Sequence, residues 1–145
     1  MIKRRELRKE EIKNKITVTA DSIEIVKENF PDSFKNFSDS GLIKDGIYKK
    51  IEFAIESIID IFNIINSDLR LGVPEVEEDV LNNLRKNKIF NSNILGLVEE
   101  MKGFRNILVH RYGEINDKQA FETIKAGLKD FELIIEEIED FLKKN

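Results

Sequence analysis

The sequence predicts an all-α protein: an antiparallel four-helix bundle with one additional short helix. Apolar residues recur at alternating spacings of three and four over four long segments, and no segment shows the strict alternation of a half-buried strand. The breaks between segments carry Pro, Gly, Asn, Asp and Ser, the residues that end helices and make turns. At 145 residues the chain is long enough for one domain with a real core and too short for two, so a single unit over 1–145 is expected. No stretch of the sequence repeats another.

From Glu11 to Phe30 the positions Ile12, Ile16, Thr19, Ile23, Val26 and Phe30 form one helical stripe. Pro31 to Ser33 and Ser38 to Gly41 interrupt it, and Phe34 and Phe37 tuck this connection against the core around a short helical turn. The second long helix, about Leu42 to Leu69, is the most apolar. It carries Ile47, Ile51, Ala54, Ile58, Ile61 and Ile65, with Ile55, Phe62 and Leu69 beside them. Phe53, Ile59 and Ile64 widen this surface beyond the single face that a small bundle buries, so cover on more than one side is implied and a dimer is the economical explanation. Its remaining polar strip is Glu52, Glu56, Asp60, Asn63 and Ser67: either a solvated edge or the source of an acid that orients an arginine across the bundle.

Gly72 and Pro74 end that helix. Val76 to Phe90 supplies the short helix, with Val76, Val80, Leu81 and Leu84 inward. Asn91, Ser92 and Asn93 are candidate caps for the next helix, whose buried stripe is Leu97, Met101, Phe104 and Leu108 and which is expected to stop at Gly113. Asn116 with Gln119 reads as a capping box. Phe121, Ile124, Leu128, Phe131, Ile135, Ile138 and Leu142 then mark a long packing helix with an acidic, solvated outer face.

The chain has 41% hydrophobic and 36% charged residues and a net charge of -4, which argues against coating nucleic acid by bulk electrostatics. The distribution is uneven. Residues 1–15 carry seven Lys or Arg against three Glu, leaving them at +4 and the other 130 residues at -8, so a local basic site stays open beside the plainer reading of a solvated terminus. With no cysteine and one histidine, a disulfide framework and a zinc site are excluded. No signal peptide or membrane-spanning run is visible, and a cytoplasmic protein is expected.

The stretch Met101 to Asn116 concentrates chemistry that the rest of the chain lacks, including His110, the only histidine. On a continuous helix Arg105 and Tyr112, seven residues apart, share one stripe, and Asn106 and His110, four apart, share the next. Gly103, a turn before Asn106, allows close approach of a helix or ligand. A structural account also fits: His110 favouring the helix C-terminus, Arg105 pairing with an acid such as Asp60, Tyr112 packing with its hydroxyl in water.

The run Arg105, Asn106, three apolar residues, His110, one residue and Tyr112 resembles the signature of HEPN domains, and specifically of the HepT toxins of MntA/HepT toxin–antitoxin pairs. The helix containing Asp60 and the Pro74 turn with its short helix stand in the order seen in that family. The resemblance covers about residues 12–143, and residues 1–11, a possible basic N-terminal extension, lie outside it.

The resemblance implies a homodimer in which two motif helices meet, so that two copies of Arg105 and His110 line one cleft. It implies metal-independent RNA cleavage without a cofactor: the 2′-hydroxyl attacks the adjacent phosphate, His110 transfers protons, Arg105 stabilises charge on phosphate, and Asn106 positions the substrate or the His ring. Tyr112 would be the residue on which an MntA-like nucleotidyltransferase antitoxin places AMP. The rival is a non-catalytic HEPN module that partners such an enzyme.

Overall fold

A computed structural model describes residues 6–145, leaving the first five residues of the basic terminus outside the described residues. Six α-helices and one 3₁₀ turn follow in order, with no strand among the described residues: α1 Lys9–Asn29, α2 Phe34–Ser38, α3 Leu42–Asp68, α4 Glu78–Lys86, α5 Ser92–His110, the turn Tyr112–Glu114 and α6 Asp117–Lys144. The four long helices close a ring in which α1 meets α3, α3 meets α5, α5 meets α6 and α6 returns to α1. Polar pairs set the directions. Arg8 and Lys15 bond Asp68 and Asp60, so α1 runs against α3; Arg105 bonds Glu56 and Tyr112 bonds Asp45, so α5 also runs against α3. The antiparallel bundle with a short extra helix is the expected architecture.

The stripes read from the sequence face inward with one exception: Val76, expected inward on the short helix, lies before the start of α4 at Glu78 and is 56% exposed. Ile12, Thr19, Ile23 and Val26 of α1 are buried, and Thr19 satisfies its hydroxyl by donating to the Lys15 carbonyl at 2.8 Å. Phe37 is fully buried and stacks near Phe30, Tyr48 and Phe121, which closes the α1–α3 connection over one end of the core. Among the three candidate caps of α5, Asn91 does the work, accepting from the Ile94 N–H at 2.9 Å; Asn116 caps α6 by accepting from the Gln119 N–H at 3.0 Å.

Two readings change. The wide apolar surface of α3 is covered within one chain, because α1, α5, α4 and α2 all pack on it and leave only Phe53 among its large apolar side chains after Ile43 substantially exposed. That surface therefore supplies no argument for a dimer. The basic terminus also enters the fold before its expected start: α1 begins at Lys9, and Arg8 bonds the fully buried Asp68 carboxylate through its backbone N–H and its guanidinium, all at 3.0 Å. After α3, Arg70 takes a left-handed conformation and the Leu71 N–H returns to the Asn66 carbonyl, turning the chain toward α4. Gly72, at φ +141°, sits where a Cβ would press on Asn83 at 3.1 Å. No helix among the described residues is long and apolar enough to cross a membrane.

Candidate functional site

Arg105 projects from α5 into the bundle and is nearly buried, with its guanidinium held on three sides. Nε donates to Asn106 Oδ1 at 2.9 Å, Nη1 to Glu56 Oε1 at 2.6 Å, and Nη2 to both Glu77 oxygens at 2.8 and 3.0 Å. Glu56 comes from the middle of α3, and Glu77 from the residue that precedes α4. Burial alone would favour the neutral form of Arg105, but the two carboxylates outweigh it and raise the pKa above that of an ordinary arginine. The guanidinium is permanently charged and fixed in orientation. Two negative groups surround one positive one, so the immediate cluster carries a net negative charge.

Asp60, expected as the acid that orients Arg105, stands one turn further along α3 and instead accepts from Lys15 Nζ of α1 at 3.3 Å. The polar strip of α3 does supply the acid. Its member is Glu56, because α1 covers the strip at Asp60 while α5 crosses it at Glu56.

The helical phase of the motif also differs from expectation. The last i to i−4 bond of α5 runs from the Arg111 N–H to the Ile107 carbonyl at 2.9 Å, so the helix stops at His110 rather than Gly113, and Gly113 is not among the glycines of positive φ. Tyr112 then lies on the 3₁₀ turn and leaves the Arg105 stripe. The Tyr112 hydroxyl donates to Asp45 Oδ1 at 2.6 Å, and its ring stands edge-on to Tyr48, with centroids 6.1 Å apart and planes at 90°. Behind it, the Tyr48 hydroxyl donates to Asp117 Oδ1 at 2.6 Å and Lys44 Nζ donates to Asp117 Oδ2 at 2.9 Å. Burial, then the bond to Asp45, pushes the Tyr112 phenol up to about 12. Burial and Asp117 raise Tyr48 further, while the donors Lys44 and Tyr48 outweigh the burial of Asp117 and keep its carboxyl below the usual range.

His110 is exposed on the last turn of α5, and no side-chain hydrogen bond joins it to Arg105, Asn106 or Tyr112. Asn106 is therefore tied to Arg105 and not to the imidazole. Gly103, Asn106, Ile107 and His110 form an exposed face at spacings of three, four and seven, and a Cβ added at Gly103 would meet open space. Beside Arg105, Gly103 and Asn106 line a cleft of about 220 Å³ with Glu77, Glu78, Glu99 and Lys102. No group of three or more His, Asp or Glu side chains among the described residues is arranged to hold a metal.

Residues 19–138 match the family model described as ribonuclease HepT-like. The chain belongs to the HepT-like ribonuclease family. It is 29% identical over 125 residues to an mRNA nuclease HepT of Shewanella oneidensis, an alignment covering 86% of this chain and 93% of that protein. A tRNA nuclease HepT of Aphanizomenon flos-aquae is 27% identical over 92 residues, 63% of each chain. Among solved structures, the fold matches the tri-AMPylated Shewanella oneidensis HEPN toxin in complex with its MNT antitoxin, with a TM-score of 0.81 at 28% identity over 90% of this chain and 97% of that one.

Sequence reasoning missed Glu77 and Asp45 in this HepT-like chain. Each sits at a helix start, where an acidic residue is already accounted for by the unpaired N–H groups, so neither announces a partner across the bundle. One signal was available for Asp45. It precedes Glu56 by eleven residues, close to three turns, so both acids lie on one face of α3, the face that the antiparallel motif helix crosses.

Proposed function

We propose that the chain is a HepT-type toxin: a cytoplasmic, metal-independent endoribonuclease whose active cleft forms between two copies and which a nucleotidyltransferase antitoxin silences by placing AMP on Tyr112. The observation that carries this reading is the end of α5, where a buried, oriented guanidinium at Arg105 is followed five residues later by an exposed, unbonded imidazole at His110. Five residues along a helix turn the direction by roughly 140°, so one copy does not aim both groups at one phosphate. A second copy packed on the exposed face Gly103, Asn106, Ile107 and His110 brings two imidazoles to a shared cleft, and the small residue at Gly103 permits close helix approach.

In that cleft the RNA 2′-oxygen attacks the adjacent phosphorus and the 5′-oxygen leaves, giving a cyclic phosphate. One imidazole takes the 2′-hydroxyl proton and another delivers a proton to the leaving oxygen, each step worth roughly 10² to 10⁴ in rate. Arg105, which points into the bundle and is held by Glu56 and Glu77, stabilises charge on the phosphoryl oxygens once a phosphate displaces one of those carboxylates from its planar fork. The names of the two HepT relatives and the AMPylated state of the Shewanella oneidensis toxin support this reading.

One observation favours a second reading. The Arg105 guanidinium already makes four side-chain hydrogen bonds, to Glu56, Glu77 and Asn106, as in a non-catalytic module where the arginine only holds helices together. Incubating the purified chain with total RNA and chelator separates the two. The toxin reading expects cleavage, reduced at least 100-fold in His110→Ala at unchanged helicity and particle size. Absence of cleavage of any RNA, or full activity in His110→Ala, overturns it.

A further inference from the structure

Two tyrosines lie edge to edge at the end of the motif, and only Tyr112 is accessible: it is 48% exposed, against 2% for Tyr48. Their carboxylate partners differ as well. Asp117 already accepts from both Tyr48 and Lys44, whereas among the described residues the one side-chain hydrogen bond to Asp45 comes from Tyr112. Asp45 is itself exposed, on the first turn of the 27-residue α3 and thus on a rigid element. A reagent arriving at Tyr112 Oη finds a carboxylate oxygen 2.6 Å away, within the span over which a base takes a proton directly.

The phenol needs such help. Held up at about 12, Tyr112 at neutral pH is ionised in only roughly one molecule in 10⁵, so attack through free phenolate is negligible and the proton must leave as the new bond forms.

We propose that Asp45 is the general base for modification of Tyr112, so that the target chain brings its own base to the transfer of AMP. The proposal rests on the reading of Tyr112 as the modified residue. In the step, Tyr112 Oη bonds to the α-phosphorus of a nucleoside triphosphate, the bond from that phosphorus to the oxygen bridging to the β-phosphate breaks, and pyrophosphate leaves with the electron pair. The phenol proton passes to Asp45 Oδ1. Tyr48 acts as a wall that fixes the Tyr112 ring, and its own burial keeps it from competing.

Two arms test this, both read by mass spectrometry at Tyr112 with Tyr112→Phe locating the product. In the first, the MNT antitoxin of the Shewanella oneidensis relative is supplied with magnesium ATP. Asp45→Asn should slow kcat for AMP transfer at least 100-fold with KM for ATP unchanged, and Asp45→Glu should recover to within tenfold of the parent. In the second, adenosine 5′-phosphorimidazolide carries activated AMP without any enzyme, and Asp45→Asn should slow labelling at least tenfold. A kcat within threefold of the parent in Asp45→Asn, or a change confined to KM, overturns the proposal. If the antitoxin leaves the parent chain unmodified, the AMP-transfer reading fails, and the reagent arm alone decides on Asp45, equal labelling rates overturning it.

Discussion

Replacing Glu77 by Gln tests whether the acids around Arg105 hold the guanidinium for phosphate or against it. Glu77 places both oxygens on Nη2, at 2.8 and 3.0 Å, so that a phosphate binding this edge would have to compete with it, while Glu56 independently holds Nη1. A phosphate bonded to Nη2 would bring its charge to about 5 Å from the Glu77 carboxylate, which repels it by about 3 kcal/mol at an effective dielectric of 20 and about 0.8 in bulk water. The Glu77 side chain is 39% exposed, so the figure lies near the watery end, about 1 kcal/mol or about fivefold in affinity. Glu77→Gln keeps one acceptor for Nη2 and removes the charge. In steady-state cleavage of a fluorogenic RNA, KM should fall about fivefold with kcat within twofold, and the gain should shrink in ~1 M salt, where the screening length is about 3 Å. A KM that is unchanged or raised, together with a tenfold loss of kcat, would refute competition and assign Glu77 to holding the arginine in its productive pose.

Other substitutions probe the same geometry. Glu56→Gln should lower kcat at least tenfold in the RNA assay, whereas Asp60→Asn should leave it within twofold and change stability by less than about 1 kcal/mol, because Asp60 only pairs with Lys15 at a partly exposed site. Gly103→Ala meets open space within one chain and should raise the intrinsic stability of α5 by about 0.5–1 kcal/mol in urea titration, while weakening a dimer that packs on this face, seen as a raised dissociation constant in sedimentation. Arg8→Ala should cost about 1–2 kcal/mol in the same titration, since it removes the guanidinium from the buried Asp68 but leaves the backbone bond. The pKa values of Tyr48 and Tyr112 are raised in the folded chain, so their contribution to stability is complete below the ordinary tyrosine value near 10 and is lost as pH rises above it, through about 12 for Tyr112 and beyond that for the more strongly raised Tyr48. The melting temperature should therefore fall over that window, and less steeply in Tyr48→Phe.

Periodicity placed every long helix because each buries one face, and burial of an apolar stripe is a property that spacing records directly. It placed Arg105, Asn106 and His110 on one helix for the same reason. It missed the end of that helix, since Gly113 satisfies a local rule while the actual stop at His110 goes with a distant bond, Tyr112 to Asp45, that no local pattern contains. Asp60 failed in a related way. Two acids one turn apart on the same strip are indistinguishable until the crossing point of α5 and the cover given by α1 are known, and both are set by packing between elements far apart in sequence. The surplus apolar surface of α3 was read correctly as surface that must be covered and wrongly as surface that needs a second chain, because α4 and α2 supply cover that a simple four-helix count leaves out.

The helix that organises this chemistry is α3 rather than the motif helix. Asp45 and Glu56 stand on one face of it, about 16 Å apart at 1.5 Å per residue, and the antiparallel chain lays Arg105 against one and Tyr112 against the other. In the proposed function, silencing and cutting are thereby mounted on a single rigid ruler. In the proposed scheme AMP on Tyr112 breaks the bond to Asp45 and sets a phosphate beside a helix end whose imidazole is exposed, so the modification acts at the cleft without needing to distort the fold. Tyr112→Phe removes both the AMP acceptor and the bond to Asp45, and its RNA cleavage in the presence of antitoxin and ATP should persist. Should antitoxin and ATP still suppress cleavage by that variant to the extent seen with the parent, silencing proceeds by binding alone, and the placement of Tyr112 on the ruler has no part in it.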